Sequence, residues 1–203
     1  MKYWYPNRPL LQTRDFLARM DAGEIPGSWW AEPKLNGDRL VLLRVAGKWE
    51  FWNRQGARLK YRAPEAMLAE LSRLVPAVLG DVQLDGELMH NHTKNVKNLV
   101  VLYDVYVVGG EPVRLPLFER LEWLNNFSGG RLPLWFHGVQ ASVVQAPACV
   151  VDFVRQFSKL TALEEIEGLV FKRGDGLIDF NPVKSPDVPW QIKVRRESKN
   201  YKF

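Results

Sequence analysis

The sequence predicts an α+β fold with largely antiparallel sheets. Strand-like and helix-like segments are interspersed, without the regular strand–helix alternation of parallel-sheet proteins. The composition is globular, with 46% hydrophobic and 25% charged residues, and 203 residues are enough for one sizeable core. There is no internal repeat and no linker long enough to divide the chain. We therefore expect a single domain over residues 1–203.

The first half of the chain supplies a hairpin, a helix and two strands. Residues 39–46 and 49–53 are rich in β-forming residues and flank Gly47-Lys48, which predicts a hairpin. The segment PEAMLAELSRLV, residues 64–75, has apolar residues at helical spacing. DVQLDGELM, residues 81–89, predicts a strand broken by a glycine, and KNLVVLYDVYVV, residues 97–108, predicts a buried strand.

The second half supplies two helices and two strands. LPLFERLEWLNNF, residues 115–127, and APACVVDFVRQFSKL, residues 146–160, are amphipathic and predict helices. Short strands are predicted at GLVFKR, residues 168–173, and at WQIKVR, residues 190–195.

Charge and cysteine content restrict the compartment and the partners. The net charge is +5, which is compatible with a polyanionic partner but is shared by many enzymes. The single cysteine, Cys149, cannot form an internal disulfide, which fits a reducing compartment. No signal peptide precedes the first elements, and no apolar run approaches the roughly 20 residues of a membrane span. The expected location is the cytoplasm, with no membrane partner.

Lys34 lies in the segment EPKLNGDR, where Asn36-Gly37 predicts a tight turn that projects it into a cleft. A nucleophilic lysine must lose its proton, which at pH 7 costs about 4.6 kcal/mol for an ordinary lysine. Nearby cations or desolvation lower that cost, so a nucleophile here predicts basic residues around it. Candidates are Arg39, Lys193 and Arg195. The alternative is an ordinary surface lysine beside a turn.

Lys193 and Arg195 are two residues apart, so on a strand they point to one face and could present two cations to a phosphate. The spacing alone equally fits a half-exposed edge strand. Glu87 and Glu167 each adjoin a glycine at an apolar strand, where an acid could hold a ribose hydroxyl or a hard divalent cation. Each also fits an acid in water at a strand end. Tyr103 could be a platform for a base or a core residue.

Six blocks in order carry a resemblance: EPKLNGDR, NRQG, LDGELM, VVLYDV, EGLVFK and WQIKVR. Together they resemble the motifs of the covalent nucleotidyltransferases, and most closely the adenylation domain of ATP-dependent DNA ligases. The blocks span residues 32–195, and the segment LYDVYVVGGEPVRLPLFERLEWL resembles the strand, loop and helix that follow the third motif in DNA ligases. The resemblance implies the nucleotidyltransferase fold, ATP-grasp-like, with antiparallel sheets flanked by helices.

The resemblance also implies roles. Lys34 would attack the α-phosphate of ATP, expel pyrophosphate and carry AMP. The implied nucleotide-binding residues are Glu32 at the adenine amino group, Arg39 at a phosphate, Arg54 and Glu87 at the ribose, Tyr103 stacked on adenine, and Lys193 and Arg195 at the α-phosphate. Glu167 and Glu87 are the implied metal ligands, and the implied cofactors are ATP and Mg²⁺ or Mn²⁺.

The sequence departs from the family pattern at three places. Asn36 replaces the usual aspartate, which removes a charge. Arg195 replaces the usual second lysine, which keeps the charge and changes its geometry. The chain ends eight residues after Arg195, whereas DNA ligases typically continue into an OB-fold domain. A fragment, a domain that works alone, and a partner that supplies the missing function are all compatible with this ending.

The predicted function is ATP-dependent sealing of nicks in a nucleic-acid duplex, with DNA as the favoured substrate. Lys34 would be adenylated, AMP would pass to a 5′-phosphate, and a 3′-hydroxyl would attack to release AMP. The nearest alternative enzyme is an RNA ligase, followed by a capping guanylyltransferase. An alternative from another class is a degenerate domain that only binds nucleic acid.

Overall fold

A computed structural model of the chain describes residues 1–127 and 152–197. Their strands and α-helices are, in chain order, β1 (Arg8–Gln12), α1 (Asp15–Asp21), β2 (Trp29–Leu35), β3 (Asp38–Val45), β4 (Lys48–Asn53), α2 (Glu65–Leu74), β5 (Val82–Met89), β6 (Leu99–Val108), β7 (Glu111–Pro112), α3 (Leu117–Phe127), α4 (Phe153–Leu160), β8 (Ile166–Arg173) and β9 (Asp187–Arg195). A short 3₁₀ helix, Ala77–Leu79, precedes β5.

The larger sheet has the strand order β4-β3-β5-β6-β7, and all of its pairs are antiparallel. Alternate side chains of β3, such as Leu40 and Leu42, are fully buried against the apolar face of α2, which contributes Met67 and Leu71. The buried side of α3 joins the same core. Strand β5 is buried along its whole length and β6 along most of its length, as expected for strands in the interior of a sheet.

The smaller sheet has the order β1-β9-β8-β2. Its β2–β8 and β8–β9 pairs are antiparallel, and β1 pairs with β9 in parallel. Helices α1 and α4 cover one face, where Phe16 of α1 and Phe157 of α4 pack against alternate residues of the strands. The other face of the sheet is left to line a cleft. The predicted α+β class with largely antiparallel sheets is confirmed.

The predicted hairpin is confirmed, with its turn one residue earlier than expected. Ala46 and Gly47 form the turn, and both have positive φ (47° and 75°), as a two-residue hairpin turn requires. The helix predicted over residues 64–75 is α2. The strand containing Gly86 is continuous rather than broken. Glycine is needed there because a Cβ would overlap the carbonyl oxygen of Val101 on β6.

Three elements near the start of the chain were not predicted: β1, α1 and β2. Lys34 therefore lies on a strand and not in a turn, which corrects the sequence interpretation. Since β2 pairs with β8 and β3 pairs with β4 and β5, Asn36-Gly37 carries the chain from one sheet to the other. A Cβ at Gly37 would lie 2.7 Å from Glu87 Cγ, so this crossing passes close against β5.

The later elements follow the sequence pattern. Helix α3, β8 and β9 were predicted, and both strands are longer than expected. Helix α4 begins at Phe153, capped by the Asp152 side chain, which accepts a hydrogen bond from the backbone N–H of Arg155 at 2.8 Å. Residues 146–151 of the predicted helix lie outside the described residues, as does Cys149. No helix within residues 1–127 and 152–197 is long and apolar enough to cross a membrane.

Candidate active site

A cleft of about 490 Å³ lies between the two sheets, and both sheets contribute to its walls. The smaller sheet supplies the cleft-facing side chains of β2, β8 and β9, and the larger sheet supplies those of β3, β5 and β6. The polar and aromatic residues in the walls include Arg8, Glu32, Lys34, Asp38, Arg39, Arg54, Glu87, Tyr103, Glu167, Lys172, Gln191, Lys193 and Arg195.

The pleat of β9 brings its cations to the cleft. Lys193 and Arg195 line the cleft, whereas Ile192 and Val194 are buried under α1 and α4, as the two-residue spacing predicted. The edge-strand alternative does not hold, because β9 lies between β1 and β8. In the register of the sheet, Gly168 of β8 lies between Lys34 and Arg195.

Lys34 and Arg195 meet at one carboxylate. Lys34 Nζ donates to Glu167 Oε1, and Arg195 Nη2 donates to Glu167 Oε2 at 2.7 Å. The three side chains are 16–22% exposed, so they are partly shielded and still open to the cleft. Glu167 is therefore the centre of an ion-pair network and not a free acid at a strand end.

The larger sheet contributes a second charged group. Arg39 Nε donates to Asp85 Oδ1 at 2.7 Å, and Nη2 donates to the other carboxylate oxygen, which fixes the guanidinium in the cleft wall. Glu87 lies opposite Arg39 on β5 and is 7% exposed. Burial raises the pKa of Glu87 to about 7, while Lys34 and Arg39 oppose the rise. Near neutral pH, Glu87 is thus close to its midpoint of ionisation.

Cations cluster around Lys193 in the cleft. Burial lowers the pKa of Lys193 to about 8, and the nearby charges of Lys34, Arg8, Arg195 and Arg54 lower it further. Such mutual repulsion between cations is relieved when an anion binds among them. The cluster is therefore suited to a polyanion such as a phosphate chain.

The remaining wall holds a buried ion pair beside an aromatic ring. Lys172 Nζ lies 2.7 Å from Glu32 Oε2, and both side chains are less than 10% exposed (5% and 7%). The same ammonium group lies 5.2 Å from the centre of the Tyr103 ring. A flat ligand can stack on that ring with its edge toward the carboxylate.

All nine residues named from the sequence line this single cleft: Glu32, Lys34, Arg39, Arg54, Glu87, Tyr103, Glu167, Lys193 and Arg195. The cations expected around Lys34 are in the same walls, although its direct partner is an acid, Glu167. Arg54 is exposed at the rim. The individual roles of these residues stay predictions.

Three further residues of the site were not identified from the sequence. Lys172 follows the pleat of β8 toward the cleft and is part of the block EGLVFK, which was the available signal. Asp85 lies in the block LDGELM and holds Arg39. Arg8 reaches the cleft on β1, where it forms a two-point ion pair with Asp187 at 2.6 and 2.7 Å, and no sequence pattern indicated it.

Asn36 has a structural partner rather than a place in the cleft. Its side-chain amide donates to the backbone carbonyl oxygen of Glu164 at 3.3 Å, and it is not among the residues of the cleft wall. Its own N–H donates to the carbonyl oxygen of Glu165 at 2.8 Å. Asn36, which stands where the resemblance implies an aspartate, is uncharged, and its amide ties the crossing segment to the loop before β8.

Comparison with known proteins identifies the architecture. No protein-family profile and no curated protein sequence matches the chain. Solved structures match: Pmar-Lig_PreS3 at a TM-score of 0.59 and 15% identity, covering 96% of this chain and 47% of that chain. A mycobacterial DNA ligase D complexed with ATP and MES matches at 0.55 and 18%, covering 95% and 60%. An archaeal ATP-dependent RNA ligase matches at 0.51 and 17%, covering 96% and 48%.

This chain thus spans between 47% and 60% of the length of these three matching proteins. Identities of 15–18% establish a fold and not an activity. The superpositions cover nearly all of the chain, including both sheets that form the cleft. The chain therefore has the nucleotidyltransferase fold of the adenylation domains of ATP-dependent nucleic-acid ligases.

Proposed function

We propose that this chain is the adenylation domain of an ATP-dependent polynucleotide ligase that seals 3′-hydroxyl/5′-phosphate nicks in DNA. The observation that carries the proposal is the position of Lys34. It lies in the cleft between the two sheets, bonded to Glu167, with the cations of β9 on one side and Tyr103 in the same cavity. The order of the six sequence blocks supports the same conclusion.

The first step would form a bond between Lys34 Nζ and the α-phosphorus of ATP and break the bond to pyrophosphate. Lys34 must lose a proton before it can attack. Glu167 contacts Nζ directly, and in this proposal it would accept that proton. Lys193 and Arg195 would hold the negative charge that develops on the phosphate oxygens.

Two carboxylates of the cleft fit a divalent cation. Glu167 and Glu87 both face the cavity, and each lies within electrostatic reach of the other. The described part of the chain has no group of three or more His, Cys, Asp or Glu side chains suited to a metal. Mg²⁺, however, is commonly held by one or two carboxylates together with substrate phosphates. When bound, Mg²⁺ or Mn²⁺ would neutralise charge on the triphosphate.

The second and third steps would use the same cleft. AMP would pass from Lys34 to the 5′-phosphate of a nick, and a 3′-hydroxyl would displace it to form the phosphodiester. An RNA ligase is the second candidate, because an RNA ligase is among the structures that share the fold. A partner or a further domain that grips the duplex, and a cytoplasmic location, stay predictions.

Intact mass after incubation with ATP and Mg²⁺ tests the proposal. We expect the wild-type chain to gain one AMP, to lose it with pyrophosphate, and to gain none in Lys34→Ala. Lys48→Ala, which removes an exposed lysine from the β3–β4 hairpin, is the matched control and should gain AMP normally. Nicked DNA, nicked RNA and hybrid duplexes then compete to discharge the adduct. An adduct that persists in Lys34→Ala would contradict the assignment of the nucleophile.

A further inference from the structure

Charge is distributed unevenly along the chain, and two stretches carry more positive charge than the whole. Residues 51–64 contain four cations and no acid, and residues 88–103 contain two lysines and no acid. Together the two stretches carry a charge of +6, whereas the whole chain carries +5, so all the other residues together carry −1. The six cations are Arg54, Arg58, Lys60, Arg62, Lys94 and Lys97. Of these six, Arg54 alone lines the cleft, so the nucleotide chemistry does not account for the other five.

The first stretch presents its cations on one side. After the turn at Arg54, the chain runs back along β4, an edge strand of the larger sheet, and the N–H of Leu59 donates to the carbonyl oxygen of Phe51 at 2.8 Å. Leu59 and Tyr61 are half-buried and pack against the core. The residues that alternate with them are exposed cations: Arg58, Lys60 and Arg62. This alternation is that of an extended segment, in which every second side chain points the same way at intervals of about 6.6 Å.

The second stretch lies beside the first. It includes the connection between β5 and β6, where Lys94 and Lys97 are exposed. Tyr61 joins the two stretches, because its hydroxyl donates to Asn98 Oδ1 at 3.0 Å and its ring centre lies 5.0 Å from that of His90. The five exposed cations therefore belong to one surface, which we call the basic face: Arg58, Lys60, Arg62, Lys94 and Lys97.

The basic face adjoins the cleft at two points. Arg54 lines the cleft and lies on the turn that leads into Arg58. At the second point, His92 Nε2 of the β5–β6 connection lies 2.9 Å from Oδ1 of Asp38, which also lines the cleft. A long ligand with one end in the cleft can therefore continue onto the basic face.

The composition of the basic face favours a nucleic acid over a membrane. Within residues 1–127 and 152–197, Lys60, Arg62 and Lys94 have no ion-pair partner, and Arg58 pairs only with Glu50, at 3.7 Å. Both stretches are fully described, and neither exposes a large apolar side chain. A membrane-binding surface of the amphipathic kind needs such apolar side chains, whereas clustered cations without them are typical of a surface that binds phosphate groups.

We infer that the basic face binds the sugar–phosphate backbone of the duplex that flanks the nick, outside the nucleotide cleft. The inference rests on the proposed function. It assigns part of the duplex contact to the larger sheet, on residues that take no part in the chemistry at Lys34. Phosphate contacts position a duplex without reading its bases, so this surface should accept any sequence.

Salt dependence of binding to a nicked DNA duplex tests the inference. The test variant removes three exposed cations that no ion pair holds in the described part of the chain: Lys60→Ala, Arg62→Ala and Lys94→Ala. If all three contact phosphates, the slope of log affinity against log salt should fall by about 2.7, and if one does, by about 0.9. A fall of about 2.7 means that raising the salt from about 50 to 200 mM weakens binding about 40-fold less than in wild type.

The matched control removes the same charge from the side of the smaller sheet that faces away from the cleft. It combines three exposed residues of α1 and α4: Arg19→Ala, Arg155→Ala and Lys159→Ala. Its slope should equal that of wild type. Thermal unfolding of both triple variants verifies that each is folded at the temperature of the binding measurement.

Duplexes with one shortened flank test where the surface contacts the nucleic acid. The reference duplex has about 20 base pairs, or two helical turns, on each side of the nick, and in two further duplexes one flank is cut to about 5 base pairs. Wild type should lose affinity when the flank on the basic face is shortened. The test variant has already lost those contacts and should lose less on the same truncation, whereas the control should lose as much as wild type.

A test variant with the salt slope and the flank dependence of the control would overturn the inference. So would a loss of binding to phosphatidylserine vesicles with DNA binding unchanged, which would assign the basic face to a membrane. The mass test of adduct formation is separate. An adduct at Lys34 with unchanged slopes would reject the inference and keep the proposed function, whereas altered slopes without an adduct in wild type would reject the proposed function and keep the basic face as a nucleic-acid surface.

Discussion

Glu87 shows how a single residue connects the site to the stability of the whole chain. It is buried in β5, it faces the cleft, and burial raises its pKa to about 7 from an ordinary value of 4.5. Between these two pH values the folded chain holds a proton at Glu87 that the unfolded chain releases. The folded state is therefore favoured at low pH, and this contribution is lost as the pH rises through about 7.

Replacing Glu87 with Gln is expected to remove that pH dependence. The free energy of unfolding of Glu87→Gln, relative to wild type, should rise by up to about 3 kcal/mol from pH 4.5 to pH 8. Urea unfolding at several pH values measures this difference. The exposed Glu111→Gln is the control, and its difference from wild type should stay flat. A flat difference for Glu87→Gln as well would mean that the buried carboxyl is better solvated than its surroundings indicate.

At the scale of elements, the site depends on how closely β8 approaches β9. Gly168 has no side chain, and a Cβ there would overlap the carbonyl oxygen of Val194 and the Cα of Arg195. Because Glu167 adjoins Gly168 and bonds to Arg195, the separation of the two strands also fixes the ion-pair network around Lys34.

Gly168→Ala tests this close approach. Replacing glycine with alanine gains up to about 1 kcal/mol by reducing the freedom of the unfolded chain. Forcing an extra carbon into a packed site costs about 1–3 kcal/mol or more, so the net effect should be destabilising. The rate of AMP-adduct formation should fall by more than the loss of folded protein accounts for, because Arg195 moves with β9. Gly47→Ala, with φ of +75° and no neighbour within 4 Å, should lose only about 1–2 kcal/mol and keep full adduct formation.

The elements that could be predicted are those with a strong local pattern. Strand β6 carries a long apolar run and helix α2 an apolar periodicity, and both patterns depend only on their own residues. Strand β1 has one buried residue in five, and it is a strand because it pairs in parallel with β9. Strand β2 carries Glu32 and Lys34 on its cleft face. These charged residues of the site interrupt the apolar pattern by which a strand is recognised in a sequence.

The sequence was enough to predict which residues lie in the cleft, but not which of them contact one another. The ordered blocks predicted nine site residues, and all nine line the cleft. The pairing of Lys172 with Glu32 and of Glu167 with Lys34 depends on the register between β2 and β8, which are distant in sequence. A one-residue slip of that register would turn these side chains to the other face, and no local pattern encodes it.

At the scale of the whole molecule, cations are concentrated in the cleft between the two sheets. The net charge is +5, and Arg8, Arg54 and Lys193 all line the cleft, where the charges of Arg8 and Arg54 act on Lys193. Arg54 lines the cleft with its side chain exposed, and under the proposed function it would contact a phosphate of the duplex. Cations so placed steer a polyanion toward the site.

Salt dependence of binding to a nicked DNA duplex measures this contribution. If Arg54 contacts one phosphate, Arg54→Ala should reduce the slope of log affinity against log salt by about 0.9. Arg73→Ala is the matched control, because Arg73 lies on α2, is 66% exposed and pairs with Glu70 away from the cleft. Equal slopes for Arg54→Ala and wild type would place Arg54 outside the nucleic-acid interface.

The two sheets differ in how their strands are drawn from the chain. The larger sheet is made from one continuous stretch, residues 38–112, whereas the smaller sheet joins residues 8–35 to residues 166–195. Pairing strands so far apart requires closing long loops, which slows folding. During synthesis the larger sheet can form while β8 and β9 are still to be made. The cleft between the sheets is therefore completed only after β8 and β9 have been made, later than every strand of the larger sheet.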